Sequence, residues 1–177
     1  MSAAAHRDEP KPHRGPGAAA AVVGERTAVA WHVLAAVEDP EIPVLTLTDL
    51  GVIRFVKERP DGVLEVGLSP TYTGCPAVEV IRHSAERALI EAGLAPIEIA
   101  TMLSPAWSST WITPEGRRKL AEYGIAPPAD TPADHPIVCP RCGSLNTERL
   151  SQFGSTPCKA LHRCRACLEP FESFKCL

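Results

Sequence analysis

The sequence predicts an α/β protein: a small domain of mixed helices and strands followed by a compact β module built around paired cysteines. Two observations carry this. Between residues 27 and 126 the apolar positions switch between helical and two-residue spacing. Near the C-terminus stand two C-x2-C pairs, Cys139/Cys142 and Cys164/Cys167. Pro127, Pro128, Pro132 and Pro136 mark residues 127–136 as a stiff linker, so the module is expected over 137–177. Residues 1–26, rich in Ala, Pro and Gly with few bulky apolar groups, read as a disordered tail.

The elements follow in order. Val29, Val33, Ala36 and Val37 lie at helical spacing within Thr27–Glu38, and Pro40 ends the run because the residue before a proline avoids the α region. Val52–Glu58 and the alternating Val63–Leu68 flank Pro60-Asp61-Gly62, a turn in which proline presets φ and glycine accepts a positive one; together they predict an antiparallel hairpin. Pro76–Ala92 is the clearest helix. Val78, Ile81, Ala85, Ala88, Leu89 and Ala92 form its apolar stripe, and Glu79, Arg82, His83, Glu86 and Arg87 its wet side, with an Arg82–Glu86 pair expected. Pro76 suits its first position and Gly93 its end. Ile97, Ile99 and Thr101 alternate as a third strand, Pro114–Tyr123 reads as a short helix, and Thr147–Phe153 and Lys159–Arg163 as strands of the module. Trp107 and Trp111 lie in an aperiodic stretch and are expected to pack rather than dock a partner.

Composition narrows the function. Apolar residues make up 45% of the 177-residue chain but aromatics only 5%, so the core must be built from Ala, Val, Leu and Ile. From Cys139 onward six Lys/Arg face three acids, a net of +3, which leaves −6 on the remainder of a chain whose total is −3. A basic module on an acidic body suggests two parts with different partners. It is a weak footprint for nucleic acid, even with Phe153, Phe171 and Phe174 available for stacking. No apolar run is long enough to span a bilayer, and the chain reads as cytoplasmic. No Ser/His/Asp triad, P-loop or dinucleotide fingerprint is present, nor the Glu-x-x-His pairs of a di-iron oxygenase.

The cysteines carry the chemistry. Seven in a cytoplasmic chain favour metal or thiol chemistry over disulfides. A C-x2-C turn presents two thiolates to one ion, and the 21 residues between Cys142 and Cys164 allow two such turns to face each other. Four thiolates suit tetrahedral Zn2+ best, and binding would supply the folding free energy of a piece too poor in large apolar groups to fold alone. Cys158 and Cys176 are left over, as buried small hydrophobes, substitute ligands or holders of a second ion; His162 is expected at the surface.

A second constellation lies upstream. Cys75, in Thr71-Tyr-Thr73-Gly74-Cys75-Pro76, falls where a strand hands over to the best helix, so unsatisfied N–H groups should lower its pKa and Gly74 should admit a close neighbour. It is either a reactive or metal-ligating thiol or a structural one. Asp39 and Glu41 stand in a proline-stiffened segment, Asp49 follows in Asp49-Leu-Gly51, and turn or capping roles suit most of these acids.

Taken together, Asp39-Pro-Glu41-Ile-Pro43, Asp49-Leu-Gly51 and Thr71-x-Thr73-Gly-Cys75-Pro76 resemble the MIP18-like (DUF59) domain of iron–sulfur assembly factors over roughly residues 28–105. Trp111-Ile-Thr-Pro-Glu-Gly-Arg-Arg-Lys-Leu, Tyr123-Gly-Ile-Ala-Pro-Pro and Glu169-Pro-Phe-Glu-Ser-Phe-Lys-Cys176 resemble the PaaD family, a component of the bacterial phenylacetyl-CoA epoxidase. The resemblance implies a MIP18-like α/β domain followed by a zinc-ribbon-like tail whose ligands are Cys139, Cys142, Cys164 and Cys167. It also implies work beside a di-iron monooxygenase and an iron–sulfur flavin reductase in aerobic phenylacetate catabolism. There the chain would act as a maturation factor without catalysis of its own, or alternatively as a structural subunit. The family's motif positions fall on Asp39, Glu41, Thr71, Thr73 and Cys75, the expected place of a transient iron or Fe–S cluster.

Overall fold

The computed structural model describes residues 24–72, 74–129 and 137–177. Most of the expected tail, most of the linker and Thr73 lie outside them. Helix α1 (Glu25–Leu34) and helix α2 (Val78–Glu91) lie against a three-stranded sheet of β1 (Ile53–Glu58), β2 (Leu64–Leu68) and β3 (Ile97–Thr101). The hairpin forms as expected, with Val56 opposite Val66 and Gly62 at φ +80° in the turn. β3 runs parallel to β2, with α2 as the crossover that a parallel pair requires.

Helix α1 differs from expectation in its face and its length. Thr27, Ala30 and Leu34 are buried while Val29 is exposed, and the helix stops at Leu34 rather than Glu38. Ala30 is fully buried on a helix that packs against both α2 and β1, where a small side chain permits close approach. Arg26 anchors the helix start by donating to the Gly62 and Leu94 carbonyls, at 3.0 and 2.7 Å.

Helix α2 buries Ile81, Ala85 and Leu89 as its stripe requires, and Gly93 follows at φ +75°. Its first helical residue is Val78, not Pro76. Cys75, Pro76 and Ala77 form a lead-in turn, with the Val78 N–H on the Cys75 carbonyl at 3.3 Å. Arg82 pairs with Glu79 at 2.5 Å, one position tighter than the Glu86 partner expected.

Residues 35–51 link α1 to β1 through turns, and Gly51 explains their path. At φ +67° it runs so close to the Trp111 backbone that a Cβ would stand 2.5 Å from that carbonyl oxygen. Trp107 is buried and donates to the Leu50 carbonyl at 3.0 Å, and the Arg54 guanidinium lies 3.4 Å over the half-buried Trp111 ring. Both tryptophans thus pack. Helix α3 (Pro114–Tyr123) starts with Thr113 capping the Gly116 N–H and ends at Gly124 in the left-handed region.

The second sheet has the order β4 (Ile125–Ala126), β7 (Pro170–Phe174), β6 (Lys159–Cys164), β5 (Thr147–Ser151). Ile125 and Ala126, placed by sequence at the end of the first domain, pair instead with β7. The two modules share a core. Cys158 and Phe174 join Leu34, Leu50, Leu68, Ile81 and Trp107 in one buried cluster, whereas among the described residues the module's own cluster holds Ala126, Cys139, Cys164 and Phe171, with Ile137 packed against it. His162, expected at the surface, is 7% exposed and stacked on Phe171 at 5.6 Å, because alternation along β6 turns it inward. Phe171 and Phe174 are likewise buried, which removes two of the three rings that could have stacked on bases. Among the described residues no helix is long and apolar enough to cross a membrane.

Candidate metal centre and the Cys75 cavity

Two knuckles bring four sulfurs together. The first closes with the Gly143 N–H on the Cys139 carbonyl at 2.9 Å. The residue after each second cysteine is left-handed, Gly143 at φ +73° and Leu168 at φ +64°. At Leu168 a side chain bears that conformation, at about 1–2 kcal/mol. Cys139 and Cys164 are buried, Cys142 and Cys167 exposed. All four sulfurs lie within 4.8 Å of one another, with Cys139–Cys167 at 3.8 Å and Cys142–Cys164 at 3.6 Å. Sulfurs at a Zn–S distance of about 2.3 Å in a tetrahedron stand about 3.8 Å apart, so the residues fit such an ion. Without an ion the clustered thiols split: the Cys164 thiol is pulled down to about 6, chiefly by the Cys167 N–H, while Cys142, despite the Ser144 N–H, is pushed up to about 12 by the thiols beside it, so an ion would have to displace the remaining protons. Four protein ligands leave no open position, the mark of a structural rather than a catalytic site. Among the described residues this is the one group of three or more such side chains gathered closely enough to share an ion.

The second constellation converges as well. Asp39, Glu41, Thr71 and Cys75 line one enclosed cavity, floored by Ile42, Leu50, Val52, Leu68, Val78, Ile81 and Phe174. Cys158, which the sequence left unassigned, lines it too. Asp39, 6% exposed, accepts from the Glu41 and Ile42 N–H groups at 2.9 and 2.8 Å, both on Oδ1, an Asx turn that fixes the segment. Burial pushes its carboxyl above the ordinary range despite those bonds. Burial and the neighbouring Asp39 raise Glu41 likewise.

Cys75 overturns the expectation of a lowered pKa. The Ala77 N–H does favour the thiolate, but burial outweighs it and the Glu41 and Asp39 carboxylates add to burial, so the thiol is held up. Burial, then Glu41 and Asp39, raise Cys158 in the same way. The Tyr72 hydroxyl is closed off from solvent without a hydrogen-bond partner among the described residues and is pushed up to about 12, first by burial, then by Cys75. Gly74 stands at φ +87° with open space where its Cβ would be, so the turn's conformation, not a close neighbour, requires the glycine.

Asp49 has a structural task. It accepts from the Thr46 N–H at 3.0 Å and pairs with Lys119 of α3 at 2.7 Å. Burial alone would raise it, but Lys119 and the Thr46 donors hold it below the ordinary 3.8. A depressed carboxyl stabilises the fold above its unfolded pKa and ceases to do so as pH falls through the folded one. Asp49→Asn is therefore expected to cost about 2 kcal/mol at pH 7, a gap that closes below about pH 4. Urea unfolding of both proteins across pH 3–7 checks this; a gap independent of pH would refute the ion pair as its source.

These features define a class: an α/β domain that carries a four-cysteine, metal-binding β-ribbon. Residues 27–95 match the iron–sulfur cluster assembly protein family and residues 126–175 the PaaD zinc beta ribbon domain. A protein of Escherichia coli (strain K12), named for its place as a subunit of 1,2-phenylacetyl-CoA epoxidase, is 47% identical over 151 residues, 83% of this chain and 91% of that one. The chain belongs to the PaaD family. An Fe-S protein maturation auxiliary factor of Porphyromonas gingivalis is 32% identical over 91 residues, 50% of this chain and 85% of that one. The crystal structure of a DUF59 domain from Bacillus anthracis shares the fold at a TM-score of 0.50 and 22% identity, over 54% of this chain and 91% of that one.

Proposed function

We propose that this chain is a cytoplasmic accessory protein of the phenylacetyl-CoA epoxidase system in aerobic phenylacetate catabolism, one that assists iron or iron–sulfur maturation of the di-iron monooxygenase or the iron–sulfur flavin reductase. The observation that carries the reading is the shared cavity: the half-buried thiol of Cys75 lines it together with the carboxylates of Asp39 and Glu41 and with Thr71. Thr73, one residue further along the same motif, belongs to the proposed site by sequence. Soft sulfur beside hard oxygen suits iron as transient cargo. The ribbon ion is zinc, held by Cys139, Cys142, Cys164 and Cys167, and its role is to keep the docking module folded. The family relationship to an epoxidase component and the likeness to a maturation factor both support this reading.

The test is Cys75→Ser in cells that produce the whole epoxidase. The variant is expected to keep its fold and its ribbon zinc, yet to yield monooxygenase or reductase poor in iron. Client enzyme with a full complement of iron would refute maturation and favour a purely structural subunit.

A further inference from the structure

We infer that the Cys75 cavity takes a single divalent cation of the iron(II) type, not a cluster, and that Cys158, carried by the ribbon module, supplies its second thiolate. This deepens the cargo reading above and rests on it.

Cys158 does not belong to the ribbon's own ligand set, which is complete with four sulfurs. At 4% exposure it is packed into the core of the first module, in the cavity that Cys75, Asp39 and Glu41 also line. Two thiols and two carboxylates thus face one space from three separate segments. Such a mixed set fits a borderline ion such as iron(II), since purely hard ions prefer all-oxygen sites and the softest prefer all-sulfur ones. On binding, each thiol would give up its proton to solvent and ligate as thiolate.

Size argues for a single ion. The free cavity is about 20 Å3. A body of about 10–15 Å3 is one water-sized sphere, so the space accepts an ion, while two irons with bridging sulfides would have to push the lining apart. No cationic side chain lines the cavity among the described residues. Lys159 is adjacent, but its ammonium is engaged by Glu172 at 2.8 Å. Glu41 lines both this cavity and an open groove of about 580 Å3 with Ser155, Lys159 and Glu172. The donors here are not drawn together as the ribbon sulfurs are. Cargo must leave again, and a site that assembles around its ion binds less tightly than a preorganised one.

One consequence couples the two sites. Cys158 stands immediately before β6, the strand that ends in the ribbon ligand Cys164. The cargo site is therefore complete only while the ribbon is folded.

The experiment titrates the full-length, zinc-loaded protein anaerobically with Co2+ as a spectroscopic probe, and in parallel with Fe2+. Wild type is expected to take up a single further equivalent, with a thiolate-to-cobalt charge-transfer band and no release of ribbon zinc. Cys75→Ser and Cys158→Ser are each expected to weaken it by at least about 10-fold, the loss that follows even from disturbing an outer partner of a ligand. Cys176→Ser, altered at an exposed thiol, should match wild type. Wild-type binding by Cys158→Ser would overturn the assignment of Cys158 and leave the Cys75 reading standing. No further equivalent in any protein would overturn both. Paired irons with acid-labile sulfide after reconstitution would overturn the single-ion claim alone. Retained ribbon zinc reports the fold; should Cys158→Ser misfold, Cys158→Ala, which keeps a small apolar group in the core, is measured against the same outcomes.

Discussion

Stripping the ribbon metal with a strong chelator is expected to unfold β5, β6 and β7 and to weaken the α/β domain as well. The module cannot hold itself together by burial. Among the described residues its private cluster has Phe171 as its one large buried side chain, beside Ala126, Cys139 and Cys164, with only the half-buried Ile137 packed against them. Burial of one such ring is worth about 1.5–3 kcal/mol, while ordering each residue's backbone costs about 1–2 kcal/mol. A structural zinc with four thiolates supplies about 10–16 kcal/mol, enough to change the sign of that balance. The loss then spreads, because Cys158 and Phe174 belong to the core of the first module and Ser109 donates to the Leu177 carbonyl at 3.1 Å. Hydrogen exchange is the measurement. The amides of Thr147–Ser151, Lys159–Cys164 and Phe171–Phe174 should exchange as in an unfolded chain after chelation, and those of α2 and β2 should keep part of their protection. Cys164→Ser should reproduce the pattern without chelator, whereas Cys176→Ser should not. Protected β6 amides in metal-free protein would show that packing alone holds the module.

What could be read from sequence was what local spacing decides. The stripe Ile81, Ala85, Leu89, the turn at Gly62 and the two cysteine knuckles each depend on residues a few positions apart, and each stands where expected. The misreadings came from forces that act between distant segments. Val29 is more hydrophobic than Ala30, yet α1, packed against α2 and β1, turns Ala30 inward and leaves Val29 exposed. At Cys75 the local Ala77 N–H does favour the thiolate, but the burial that outweighs it is imposed by other elements. His162 and β7 share one reason for being illegible: a short, half-polar alternation reads as surface until its tertiary neighbours are known. No spacing rule could have brought Cys158 to Cys75, more than 80 residues away in sequence.

Phe174→Ala tests whether the two modules behave as one body. The ring is 1% exposed, lies 5.9 Å from Trp107 and forms part of the Cys75 cavity wall. Its removal is expected to cost about 3–5 kcal/mol, which in a chain of this size lowers the midpoint of thermal unfolding by about 6–20 °C. Two further effects separate this from an ordinary core deletion. Wild type should unfold in a single transition, and the variant should show the ribbon and the α/β domain parting into two. The enlarged cavity should also admit water beside Cys75. Burial is the largest cause holding that thiol up, so its pKa should fall toward the ordinary 9.0 and its reaction with a thiol reagent near pH 8 should accelerate. A stability loss without a gain in Cys75 reactivity would mean that the ring supports the core but does not wall the cavity. A loss below about 1 kcal/mol would mean that the interface between modules is ornamental, and the argument that ribbon folding completes the cargo site would fall with it.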